Sequence, residues 1–224
     1  MTISGAGTPS ATAIERAMKE FELQVSSQQV LQIQQYTKLL LAWNEKVNLT
    51  AIRDPLEILY RHFCESMYGA TLQPVEKCRL ADVGSGGGFP GLPIKILRPG
   101  WDVFLIESNV KKATFLAEVI RELGLNDARV LVSRFEELGE EVAPLDLVCS
   151  RALGDFGAFL AWAGSPQVQA RKALLWIGGR DLEAVKSLPG WNWGPPKPMP
   201  HSIQRLLLLG SRSETRAAEA DRAL

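Results

Sequence analysis

Cysteine, charge of one sign and long apolar runs are all scarce in this chain of 224 residues, and each scarcity removes a class of protein. The three cysteines, Cys64, Cys78 and Cys149, are odd in number, and no two stand in C-x-x-C or metal-ligand spacing. That excludes a disulfide framework and a zinc site and leaves idle or buried thiols, so no metal is expected. Lys and Arg total 25 against 25 for Asp and Glu, a formal net charge of zero. A nucleic-acid partner would therefore have to be met by a local basic patch. No stretch approaches the ~20 apolar residues of a membrane span. Residues 1–13 lack the basic-then-apolar order of a signal peptide and read as a frayed end. The chain reads as a cytoplasmic monomer that does not engage a membrane.

What is present is the profile of a globular protein with a real core: 46% apolar and 22% charged residues. The first third reads helical. A helix is expected from about Thr12 to Leu23. Ser26 with Gln29 three positions later forms a capping box ahead of Val30, Ile33, Leu40 and Leu41. Asp54-Pro55-Leu56-Glu57 is a second helix start, with a buried stripe of Leu56, Leu59, Tyr60, Phe63 and Met67. His62 and Ser66, four residues apart, share another face of that helix.

From Arg79 onward, short apolar runs alternate with helical patterns. The expected strands are Arg79–Val83, Val103–Ile106, Arg129–Val132, Leu145–Cys149 and Leu174–Ile177, with a last one within Ser202–Leu209 and at most one short strand in Leu188–Pro196. The pattern predicts an open α/β sheet with right-handed crossovers. The expected division is a helical extension over 1–72, an α/β domain over 73–210 and a loose tail over 211–224.

The strongest local signal is Asp82-Val83-Gly84-Ser85-Gly86-Gly87-Gly88-Phe89-Pro90-Gly91, directly after the first of those strands. Glycines there let backbone pass against a ligand at the carboxyl end of the sheet. A dinucleotide loop of G-x-G-x-x-G form would need glycine at 89, where this chain has Phe. A pyrophosphate also wants a bare helix amino end, which Phe89-Pro90 obstructs. S-adenosylmethionine carries no phosphate and is harmed by neither departure. Glu107 ends the next strand, 23 positions after Gly84, where a carboxylate can accept hydrogen bonds from both ribose hydroxyls. The loop and acid fit an adenosine ribose and leave two cofactors open: S-adenosylmethionine, or a nicotinamide dinucleotide in an oxidoreductase.

A longer order of motifs runs along the chain: Asn48-Leu49-Thr50-Ala51-Ile52-Arg53-Asp54-Pro55, Arg61-His62 and Ser66, the glycine loop through Phe89-Pro90-Gly91-Leu92-Pro93, Ser133-Arg134-Phe135-Glu136-Glu137, and Ser150-Arg151-Ala152. Over residues 26–210 it resembles the glucose-inhibited division protein B family, bacterial methyltransferases that modify one guanine of 16S ribosomal RNA at N7. The resemblance implies a Rossmann-like, adenosylmethionine-dependent methyltransferase fold, with a mostly parallel seven-stranded sheet and an N-terminal helical extension, acting on the small ribosomal subunit. It implies that Gly84 and Phe89 border the cofactor's methionine and sulfonium end, that Gly86 of the same loop also binds the cofactor, that Glu107 holds the ribose, and that Phe135 and Glu136 sit at the adenine. Arg151 would lie at the pocket mouth, where it could meet the cofactor or the RNA, and His62 and Ser66 would face the same mouth, all three as positioning groups. Phe89 is a candidate stacking platform for a base or, equally, a core or rim aromatic. Basic residues for RNA are Arg53, Arg61, Lys111, Lys112, Arg134 and Arg151. Two departures stand out: Gly87 where the family often has proline, and Trp176-Ile177-Gly178-Gly179-Arg180 where it tends to have Leu-Lys-Gly. A non-catalytic RNA-binding assembly factor on the same fold would share the RNA patch and lack methyl transfer.

Overall fold

The computed structural model describes residues 3–4, 7–151 and 154–213. Its centre is an eight-stranded sheet, laid on a path β5-β4-β3-β6-β7-β10-β8, with β9 pairing to β10. The strands are β3 (Arg79–Val83), β4 (Asp102–Ile106), β5 (Ala128–Leu131), β6 (Leu147–Arg151), β7 (Lys172–Gly178), β8 (Trp191–Trp193), β9 (Lys197–Pro198) and β10 (Arg205–Arg212). A two-residue pair, β1 (Ile3–Ser4) with β2 (Thr8–Pro9), lies outside this sheet. Strands β3 to β7 are parallel, and β10 runs antiparallel between β7 and β8. Strand order reverses at β3, whose neighbours are β4 and β6. In such sheets the crevice beyond the carboxyl ends at the reversal is where a ligand fits.

Side chains of the central strands alternate between two cores, as a pleat with both faces covered requires. Leu80, Val103, Leu105, Leu147, Cys149, Leu174 and Trp176 join one apolar cluster; Ala81, Val83, Phe104, Ile106, Val148, Leu175 and Ile177 join the other. The first cluster is covered by α1 (Ala11–Glu20), α2 (Ser27–Asn44), α4 (Glu65–Ala70), α5 (Gly91–Leu97) and α6 (Val110–Leu123). The second is covered by α7 (Phe156–Ala163) and α8 (Leu182–Lys186). The boundary at residue 72 falls between α4 and β3, and the first core crosses it.

Helix starts follow the sequence signals. Ser26 Oγ accepts from Gln29 N at 3.3 Å while Gln29 Oε1 accepts from Ser26 N at 2.8 Å. Asp54 caps α3 (Pro55–Ile58), accepting from Glu57 N at 2.8 Å. The single helix expected from Asp54 is then interrupted: Leu59–Cys64 is π-helical before α4 resumes at Glu65. Two expectations at the ends are corrected. The frayed start contains the β1–β2 pair and α1 from Ala11, held by the Ser10 cap and by burial of Ile14, Ala17 and Met18. In the tail, Ser211 and Arg212 continue β10, paired with Asn192 and Trp191; residues 214–224 lie outside those described. The fourth strand starts at Leu147 rather than Leu145 and runs on to Arg151.

The glycine loop is packed against α2 at one point that admits no side chain. Gly88 has φ +87°, and a Cβ there would lie 2.1 Å from Tyr36 Oη. Gly88→Ala should therefore lower folding stability by about 2–4 kcal/mol, from strain and overpacking together. Chemical denaturation checks this; an unchanged midpoint would refute the packing described.

Candidate functional site

The site is built outward from β3. Asp82 is fully buried and its Oδ2 accepts from Gly91 N at 2.9 Å, tying the strand to the first turn of α5. Burial pushes its carboxyl up to about 7, against the opposing pull of the Gly91, Ser85 and Cys149 hydrogen bonds. Beyond Val83 the chain turns at Gly84, whose φ is +71°. An added Cβ at Gly84 would meet nothing within 4 Å, so the loop turns an open face outward there. Gly84 N and Ser85 N both donate to Ile106 O, at 2.9 and 3.1 Å, which fixes the loop to the end of β4.

Glu107 follows Ile106. It is buried, and its carboxylate bridges two backbone donors: Gly86 N to Oε2 at 2.9 Å and Asn109 N to Oε1 at 2.8 Å. Each carboxylate oxygen has a second lone-pair direction, so two acceptor positions remain beside the glycine loop. The sequence expectation for Gly84, Gly86 and Glu107 thus corresponds to three residues brought together at the ends of adjacent parallel strands. Phe135 and Glu136 lie on a short 3₁₀ turn (Phe135–Glu137) after β5, one strand further out. Phe135 is half-buried against Trp162 and Phe159, and Glu136 is exposed.

Phe89 does not offer a free stacking face. Its ring lies parallel to Tyr36 (centroids 5.4 Å, 4° apart in plane) and to His62 (4.4 Å, 19°), with Phe63 edge-on at 5.6 Å. The residue is a buried plug between α2, the π-helical turn and the glycine loop, and the stacking-platform expectation is corrected accordingly. Tyr36 Oη donates to Gly87 O at 2.6 Å in the same cluster. Ser66 is also withdrawn from any mouth: it is fully buried, and its hydroxyl donates to the His62 carbonyl one turn back. Four-residue spacing places two side chains on one face of an α-helix, but the π-helical turn between them changes that register. His62 Nε2 shares a 2.7 Å hydrogen bond with Thr50 Oγ1, and Nδ1 is buried with no hydrogen-bond partner among the described residues. Burial, with Arg151 and Arg61 nearby, lowers its pKa to about 3.

Arg151 ends β6, next to β3, and points into a cavity of about 460 Å³ shared with Arg61, Glu65, Trp176, Arg180 and Arg205. Arg151 donates through Nη1 to the Arg61 carbonyl and lies 3.4 Å through Nη2 from Glu65 Oε2. Glu65 and Arg205 were not anticipated. They stand 140 positions apart, on α4 and β10, so only the folded sheet reveals them as a pair. The other basic candidates are dispersed: Arg53, Lys111 and Arg134 are exposed, Lys112 is half-exposed, and Arg61 pairs with Glu57 at 3.1 Å. Lys111 borders a separate groove beside Trp43 and Lys46. Among the described residues, no three His, Cys, Asp or Glu side chains are grouped to hold a metal, and no helix is long and apolar enough to cross a membrane.

Comparison with known proteins gives a consistent result. A family model described as rRNA small subunit methyltransferase G matches residues 29–185. A ribosomal RNA small subunit methyltransferase G from Xanthomonas euvesicatoria pv. vesicatoria is 38% identical over 191 residues, covering 84% of this chain and 87% of the relative. One of the same name from Pelotomaculum thermopropionicum is 36% identical over 200 residues, covering 80% and 83%. Among solved structures, a SAM-dependent methyltransferase from Aquifex aeolicus superposes with a TM-score of 0.59 at 15% identity, covering 74% of this chain and 97% of that one. That likeness shows the fold.

The state of His62 can be read directly. Its imidazole should remain neutral between roughly pH 5 and 8, where an ordinary histidine charges. The His62 ring resonances should stay put across that range in an NMR titration; a shift centred near pH 6.5 would contradict the buried, arginine-flanked environment.

Proposed function

The chain belongs to the rRNA small subunit methyltransferase G family, and from that premise we propose that it transfers a methyl group to N7 of a guanine in 16S ribosomal RNA of the small subunit. S-adenosylmethionine is the cofactor, and the reaction class is S-adenosylmethionine-dependent methylation of ribosomal RNA. The nicotinamide oxidoreductase and the non-catalytic assembly factor find no favour among the relatives. We place the work in the cytoplasm and take the acting unit to be a monomer.

The observation that carries the site assignment is the Glu107 carboxylate, held by Gly86 N–H and Asn109 N–H at the sheet's reversal point. Its two remaining acceptor positions suit a ribose diol, and the open face at Gly84 suits a ligand pressed against backbone. Phe135 and Glu136 would border the adenine. Bound there, the cofactor supplies an electrophilic methyl group on a sulfonium. Residues 73–210 would carry this pocket and residues 1–72 would form the wall that faces RNA.

Guanine N7 carries its own lone pair on the base edge, so no proton has to be removed before attack. A histidine kept neutral is compatible with that chemistry. What the protein must supply is placement of N7 in line with the methyl carbon, a contribution on the order of 7–11 kcal/mol at best. The acceptor base must also leave its stack. Arg151 at the end of β6 is the positioning residue closest in the sheet to the glycine loop, and Arg61, Arg53, Lys111 and Arg134 are candidates for phosphate contacts.

Incubating small subunits that lack the modification with labelled S-adenosylmethionine should label one guanine, mapped as N7-methylguanine. Label on another atom, or none, would overturn the proposal. Glu107→Ala should weaken S-adenosylmethionine binding by about 1–3 kcal/mol, the range for hydrogen bonds to a charged group. Calorimetry checks this, and an unchanged dissociation constant would remove Glu107 from the ribose.

A further inference from the structure

A cavity of about 530 Å³, separate from that of Arg151, opens between the end of α2 and the start of α6, lined by Ala42, Trp43, Lys46, Val47, Lys111 and Thr114. Trp43 supplies its flat wall. The indole is half-buried and backed by Phe115 (centroids 5.7 Å), and Phe115 by Tyr36 at 6.2 Å, so the ring rests on the core that seats the glycine loop. Thr114 is the other uncharged polar side chain of the lining, and its hydroxyl donates to the Val110 carbonyl at 2.8 Å. Lys46 and Lys111 are exposed, and among the described residues neither ammonium has an ion-pair or hydrogen-bond partner. Glu45, beside Lys46, and Glu107 and Glu118, on either side of Lys111 in sequence, pair with neither lysine and do not line the cavity.

Helix stability does not account for this arrangement. Lys111 and Lys112 stand in the first turn of α6, where the helix dipole disfavours a cation, and that turn holds no acid. Two unpaired ammoniums on different helical segments, converging beside an indole face, suit a ligand that is both anionic and flat. Single-stranded nucleic acid has both properties at every residue: a phosphate, and a base with a π-face. The place also suits an acceptor strand. α6 begins three residues after Glu107, and Val47 leads into Leu49, whose carbonyl lies 3.3 Å from where a Cβ on Gly87 would stand. The cavity therefore opens on the β4 side of the glycine loop, whereas Arg151 ends β6 on its other side.

We propose that this cavity docks an unpaired nucleotide of the acceptor RNA flanking the target guanine, with its base stacked on Trp43 and its phosphates met by Lys46 and Lys111. The inference rests on the reading of the protein as an RNA methyltransferase and adds a separate point of grip, across the cofactor loop from Arg151. A target base that leaves its stack deprives its neighbours of a stacking partner, and an indole at the edge of the site replaces it. An acidic protein segment would satisfy the lysines but carries no planar group at each residue to cover Trp43.

The test separates charge from stacking. Filter binding gives Kd for small subunits lacking the modification, against KCl concentration, for the wild type, Lys46→Ala, Lys111→Ala, the double lysine variant and Trp43→Leu. Affinity for S-adenosylmethionine is measured alongside and should not change in the lysine variants. Each lysine variant should weaken subunit binding several-fold and flatten the slope of log Kd against log salt by roughly 0.7, one single-strand phosphate contact, and the double variant by about twice that. Trp43→Leu should weaken binding several-fold with the slope unchanged, and Trp43→Phe should restore most of the loss. Wild-type affinity and slope in the double lysine variant would overturn the proposal. If Trp43→Leu fails to fold, the exposed lysines still decide the outcome. A short oligouridylate and a polyglutamate of the same length are then compared as competitors. Competition by oligouridylate that Trp43→Phe retains and the double lysine variant loses supports the RNA assignment. Equal competition by polyglutamate would assign the cavity to an acidic protein segment and overturn it. A wild type that binds subunits but transfers no methyl group would sink the functional reading alone, since the binding slopes do not depend on transfer.

Discussion

The carboxylate of Glu107, buried between two backbone N–H groups, is the interaction on which the rest of the site depends. It fixes the end of β4 to the glycine loop through Gly86 and to the start of α6 through Asn109. An ionised carboxylate is costly to bury without partners, so those bonds are what allow an acid to stand at this depth. The same bonds leave it aimed beside Gly84, where the loop offers backbone rather than side chain. The position of this carboxylate is thus set by the fold itself.

The N-terminal helices secure the loop from its other side. Tyr36 bonds to the Gly87 carbonyl, Phe89 is sandwiched between Tyr36 and His62, and Gly88 lacks the Cβ that Tyr36 would strike. Cluster packing of this kind makes the position of the glycine loop sensitive to the position of α2 and of the π-helical turn. That turn also carries Arg61 and His62 and leads directly to Glu65, so the cofactor loop and the arginine cavity share one structural support.

Much of this was legible in the sequence, and the parts that were not have physical reasons. Apolar runs bounded by Gly, Pro and Asp located the parallel strands, because strands buried on both faces need continuous apolar sequence. The glycine loop and Glu107 stood out in the sequence because the loop directly follows one β-strand and a single helix and a second β-strand separate it from Glu107. Phe89 could be read either as a platform or as a core aromatic, since an aromatic beside glycines reads the same whether its faces are free or covered, and the fold packs both its faces. Ser66 was misplaced because α-helical spacing was applied across a π-helical turn. Glu65 and Arg205 left no signal: one is a helix-start acid and the other a strand-end base, and only the antiparallel insertion of β10 beside β7 brings them together. The motif order, more than any single residue, pointed to the family that the comparisons then identified.

The central claim is that the reversal point of the sheet holds the nucleoside of S-adenosylmethionine with its sugar on Glu107. The most direct measurement is a crystal structure of the protein with S-adenosylhomocysteine. The account predicts both ribose hydroxyls within hydrogen-bonding distance of the Glu107 carboxylate, the backbone at Gly84 in contact with the ligand, and its sulfur directed toward the cavity at Arg151. A ligand seated elsewhere, or a ribose that does not touch Glu107, would contradict it.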